Sequence, residues 1–125
     1  MIKEITIPIY NATVKFIFMD NIDKEVERHT DDVGESEEAM TIWYDDKHYY
    51  VVAIRKDKFK QTTIVHESVH LAHRIMSVVG LGHALLDDEA EAYLAGYLAG
   101  ELTSLAYEEL DNDLLEHRYM KNFCL

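Results

Sequence analysis

Apolar and polar residues alternate through the first half of the chain, and apolar residues recur every three to four positions through the second. Ile2 to Ile9 and Ala12 to Met19 carry the period-two pattern of strands, with Tyr10-Asn11 as the turn between them. Pro8 predicts that the first is an edge strand, because proline has no amide proton for a ladder. Asp20-Asn21 precedes a short helix over Ile22 to His29. The acidic run Asp31 to Glu38 reads as a solvated loop, without the alternating oxygen ligands of a calcium site. Met40 to Tyr44 and Tyr49 to Ile54, rich in β-branched and aromatic residues, predict a hairpin around Asp45-Asp46-Lys47-His48.

Ile64, Val65, Val69, Leu71, Ala72, Ile75, Met76 and Val79 then recur at helical spacing. They predict a helix from about Thr63 to Val79, with Gln61-Thr62-Thr63 offering hydroxyl caps and Gly80-Leu81-Gly82 ending it. Apolar residues nearly all round imply a buried helix. A second long helix is expected from about Asp88 to Tyr107. Asp111-Asn112-Asp113 punctuates it, and a short amphipathic tail runs from Leu114 to Phe123. Strands first and helices second predict a single α+β domain over residues 1–125. Its small antiparallel or mixed sheet packs on two helices.

Composition narrows the function classes. The 125 residues carry a net charge of −12, which argues against a nucleic-acid surface and favours partners or substrates with cationic segments. Arg55, Lys56, Lys58 and Lys60 form one basic cluster, read as a charged loop before the first long helix. A single cysteine, Cys124, allows no internal disulfide. Met1 to Thr6 alternates and contains an acid, unlike a secretory signal. No apolar run approaches the ~20 residues of a membrane span, so the cytoplasm is the expected location.

The chemistry concentrates in His66-Glu67-Ser68-Val69-His70, an H-E-x-x-H pentapeptide on the first long helix. Residues four apart lie about 40° apart on a helix face, so both imidazoles can address one ion. Glu67 sits beside them, placed to act as general base. Zinc with two such histidines, a third protein ligand and water is the minimal apparatus for peptide hydrolysis. The third ligand is expected from the second helix, where Ala92, Gly96, Ala99 and Gly100 form a strip of small residues suited to close approach. Glu89 falls on that strip. Glu91 falls with Leu94, Leu98 and Leu102, at capping distance from Asp88, so Glu89 is preferred. His73 lies about 10 Å along the axis from His66, too far to share a tetrahedral ion, and His83 lies in the break between the helices. His73, Tyr93 and Tyr97 remain candidates for a supporting or oxyanion-stabilising role.

The tract Thr63 to His70, followed by Asp88 to Leu98, resembles the small zincin-like proteins of phages and prophages. More distantly it is similar to ImmA/IrrE-type metallopeptidases. The resemblance covers about residues 62 to 100. It implies Zn²⁺ bound by His66, His70 and Glu89, Glu67 as catalytic base, and a peptide or protein substrate. An extended substrate would lie along an exposed edge of the strand hairpin. The alternative is a non-catalytic acidic binding or regulatory module on the same scaffold.

Overall fold

The computed structural model describes residues 1–30, 38–80 and 89–123, with side chains as far as 117. Its strands are β1 (Ile2–Ile7), β2 (Ala12–Met19), β3 (Ala39–Tyr44) and β4 (Tyr49–Arg55), joined by the helices α1 (Asp23–Glu27), α2 (Gln61–Val78) and α3 (Glu89–Phe123). The sheet is mixed, in the order β1-β2-β4-β3. β1 and β2 are antiparallel, β2 and β4 parallel, and β3 and β4 antiparallel. The domain is α+β as expected. β1 lies at one edge and stops at Ile7, one residue before Pro8. Asn11 turns the chain with a φ of 51°, and His48 closes the β3–β4 connection with a φ of 49°. Asparagine adopts this left-handed region more readily than most residues.

Side-chain alternation gives the sheet two different faces. Val14, Phe16 and Phe18 of β2 and Tyr50, Val52 and Ile54 of β4 point one way and are fully buried. On them pack Ile64, Leu71, Ala72, Ile75 and Met76 of α2, and Leu94, Leu98, Leu102 and Ala106 of α3. Ile17, Val51 and Ala53 point the other way, onto Ile22 and Val26 at α1. Register carries the helix-facing side outward to β3: Thr41 lies opposite Val52, and Trp43 opposite Tyr50.

The helices depart from expectation in three ways. First, α2 is not buried all round. Its inner face is Ile64, Glu67, Ser68, Leu71, Ala72, Ile75 and Met76, whereas Val65 and Val69 are about half exposed. A helix laid on a sheet buries one stripe, and apolar residues outside that stripe stay at the surface. Second, α2 begins at Gln61 with Lys60 at its N-cap and no side-chain cap, so the threonine hydroxyls are not used. Its end follows expectation: Gly80 has a φ of +83°. Third, α3 runs unbroken through Asp111-Asn112-Asp113. Asp and Asn disfavour a helix by less than about 1 kcal/mol each, far short of a proline. Here Lys56 offsets that cost, its Nζ lying 2.7 Å from Asp113 and 3.4 Å from Glu109. Half of the basic cluster is thus spent inside the chain, with Arg55 on Asp57 and Lys56 on α3.

Below the sheet, Lys15 Nζ lies 3.2 Å from His29 Nε2, and His29 Nδ1 lies 3.1 Å from the Tyr44 hydroxyl. Tyr44 donates in turn to the His29 carbonyl at 2.9 Å. With Lys15 as donor, Nε2 must accept, so the ring is neutral. Burial first, then the Lys15 charge, lowers the His29 pKa below 6.5; Glu25 opposes the shift and Arg28 adds to it. Above the unfolded value the ring is neutral in both states and the network contributes in full. Below it the unfolded chain takes up the proton first, so stability falls as pH drops. Thermal melts between about pH 7.5 and 5 should show this loss, with a shallower slope in His29→Gln. An identical slope in the two proteins would exclude His29 as a source.

Candidate metal centre

The position of Glu67 follows from the phase of α2. Ile64, Ser68, Leu71 and Ile75 must face the sheet, and Glu67 lies between them at 7% exposure. A carboxylate there needs a partner. Thr41 supplies it: Oγ1 donates a short hydrogen bond to Glu67 Oε2. Because Thr41 lies on the helix-facing side of β3, the edge strand and the helix are joined at the second residue of the H-E-x-x-H tract.

The same phase turns His66 and His70 outward. Both are exposed, one turn apart, and their Nε2 atoms lie 3.1 Å from each other. The rings are edge to face, with centroids 4.6 Å apart. Two nitrogens held ~2.0 Å from one ion at a tetrahedral angle are about 3.3 Å apart, so this pair has the spacing of two ligands to zinc. Without a metal, the same spacing lets one neutral ring donate to the other. Beside them opens a cleft of about 460 Å³ lined by Glu38, Ala39, Thr62, Thr63, His66 and Glu67. The buried carboxylate thus borders the same space as one of the paired imidazoles.

The other expected residues are placed differently. His73 is exposed on the same side of α2, and its Nδ1 lies 3.0 Å from Glu91 Oε1. This contact sets the register of the antiparallel helices, with His73 level with Glu91. His70 is then level with about Leu94, and Glu89 lies roughly 7 Å further along the axis. Accordingly, no three His, Cys, Asp or Glu side chains among the described residues form a group able to hold a metal. The strip expected to bring the helices together faces mostly outward, with only Ala99 packed against the core. Ala92, Gly96 and Gly100 are exposed, and a Cβ added at either glycine would meet nothing within 4 Å. Leu94, Leu98 and Leu102 take the core side, because leucine buries far more apolar area than alanine or glycine. Glu91, three residues before Leu94, shares that side. Tyr93 and Tyr97 line a separate apolar cavity of about 410 Å³ with Ile7, Pro8, Ile9 and Tyr10. They are not brought to the histidines. His83 lies outside the described residues.

Thr41 was not anticipated, although its signal is present. It is the one aliphatic hydroxyl in Ala39-Met40-Thr41-Ile42-Trp43-Tyr44, and alternation puts it on a face with Ala39 and Trp43. Comparison of the chain with protein-family models, curated proteins and solved structures returned no match. No described helix is long and apolar enough to cross a membrane.

Removing the hydroxyl from Thr41 leaves the Glu67 carboxylate buried without its donor. Thr41→Val should therefore lower unfolding stability by about 1–3 kcal/mol, while Thr41→Ser stays close to the parent. Urea denaturation checks this, and equal midpoints for Thr41→Val and the parent would show that the contact is dispensable.

Proposed function

We propose that this protein is a zinc-dependent hydrolase of peptide bonds. The observation that carries the reading is the 3.1 Å convergence of the His66 and His70 Nε2 atoms beside a cleft that Glu67 also lines. The nitrogen donors suit zinc, a borderline metal commonly bound by imidazole with a carboxylate as further ligand. His66 and His70 would hold it, with a carboxylate from the first turn of α3. When bound, zinc supplies Lewis acidity toward a substrate carbonyl and toward water.

The chain's own groups supply the rest. Thr41 fixes one oxygen of Glu67 and leaves the other as proton acceptor. Glu67 takes a proton from the water that attacks the carbonyl carbon, and returns it to the amine nitrogen as the C–N bond breaks. β3 is an edge strand that borders the cleft at Ala39, so an extended substrate can add to the sheet beside Glu67.

The third donor is Glu89, on the resemblance of the Asp88-to-Leu98 tract. The phase of α3 favours the rival, because Glu91 shares the core-facing side with Leu94.

Elemental analysis of the purified protein should find one zinc per chain, lost in His66→Ala and in His70→Ala. Glu67→Gln should retain zinc and fold while peptide turnover falls by about a hundredfold or more. Zinc binding with no turnover of any peptide by the parent would leave the non-catalytic binding module as the reading.

The two glutamates separate by chelator competition. Glu89→Ala should release zinc at far lower chelator concentration than the parent, and Glu91→Ala should hold it nearly as tightly. The reverse order would transfer the ligand role to Glu91.

A further inference from the structure

The two edges of the sheet are built differently. β1 carries the exposed charges Lys3 and Glu4 and is followed by Pro8, devices that discourage pairing with another chain. β3, Ala39–Tyr44, carries no charge and no proline, and among the described residues nothing pairs with its outer side. An uncharged, unpaired edge is open to an added strand.

Along this edge the helix-facing positions are Ala39, Thr41 and Trp43. Ala39 borders the cleft, Thr41 holds Glu67, and Trp43 is the next position on that face, about 7 Å beyond Thr41. Trp43 is 47% exposed despite its size. Its ring is fixed from one side by Arg74 of α2, whose guanidinium carbon lies 4.9 Å from the ring centroid. Arg74 is held in turn by a two-pronged pair with Asp45, Nε to Oδ1 at 3.0 Å and Nη2 to Oδ2. That pair cancels the charge beside the ring, leaving a neutral, half-covered indole on the edge strand, two positions beyond Thr41.

We infer that Trp43, braced by Arg74 and Asp45, is a specificity subsite for a large apolar side chain of an extended peptide bound along β3. This rests on reading the cleft as a peptide-binding site. A peptide strand added to the open edge places one side chain directly beside Trp43, at cross-strand distance. That residue is two removed from the one facing Thr41 and Glu67, on the same side. Charged side chains find no free counter-charge there, since Arg74 and Asp45 already satisfy each other. A phenyl or branched aliphatic group covers the exposed part of the indole, an effect of about three- to tenfold in selectivity.

Trp43 is the only tryptophan in the chain, so its emission reports on this subsite alone. The probes are short Ala/Ser peptides, blocked at both ends, carrying one Phe, Leu, Glu or Lys, or none. With full-length Glu67→Gln protein, the Phe peptide should shift Trp43 emission saturably, and the unsubstituted peptide should not at the same concentrations. With the parent protein, kcat/KM for the Phe and Leu peptides should exceed that for the unsubstituted peptide by about three- to tenfold. The ratio should fall to near one in Trp43→Ala and persist in Trp43→Phe. An unchanged preference in Trp43→Ala would overturn the subsite while leaving hydrolysis intact. An emission response without cleavage of any peptide would uphold the subsite and remove the hydrolytic reading. No emission change with any peptide would overturn the inference outright.

Discussion

Burial of one face of α2 against the sheet decides where each chemical group of the H-E-x-x-H tract points. Ile64, Leu71 and Ile75 go to the core, and the 100° step between residues leaves no freedom for the rest. Glu67 is carried inward and needs the Thr41 hydroxyl, while His66 and His70 are carried outward and meet at their Nε2 atoms. Rotating the helix to bury the histidines would expose the leucine and isoleucine stripe, losing about 1.5–3 kcal/mol for each side chain. The direction of each group in the site is therefore set by the core, and the Thr41 contact then fixes the Glu67 carboxylate.

The second helix obeys the same rule with a different outcome. Its leucines take the core side, and this turns Ala92, Gly96 and Gly100 outward and Glu91 toward α2. Further along, Lys56 ties Glu109 and Asp113 to the end of β4, so that a helix of 35 residues is anchored at both ends of its packed length. In a chain with a net charge of −12, placing one of twelve cations between two acids also relieves local repulsion.

Much of this was legible in the sequence. The strands fall within two residues of their expected ends because period-two alternation is strong and Asn11 and His48 mark the turns. The i, i+4 placement of His66 and His70 needed only helical geometry. What escaped depended on choices between competing stripes. Both helices offer two apolar or small-residue faces, and only the sheet decides which is buried. The Glu67–Thr41 contact joins residues 26 apart in sequence, and its partner could be named only once β3 had a register. The break expected at Asp111-Asn112-Asp113 gave way because Asp and Asn are weak helix breakers, and no glycine or proline reinforced them.

Several departures from the rules of stable folding lie together at one corner of the molecule. Glu67 is a buried carboxylate, and the Ser68 and Tyr50 hydroxyls are buried with no hydrogen-bond partner among the described residues. Val65, Val69 and Trp43 leave apolar surface open, and among the described residues nothing pairs with the outer side of β3. Each is unfavourable alone, and a sequence shaped for stability would remove them one by one. All lie on β3, on β4 beside it, or on the part of α2 that carries the histidines. The cavity of Ile9, Tyr93 and Tyr97 breaks only the rule against exposed apolar residues. Buried charge, unpartnered hydroxyls, an open edge and convergent imidazoles coincide at the α2–β3 cleft among the described residues, and that coincidence is what supports the proposed site.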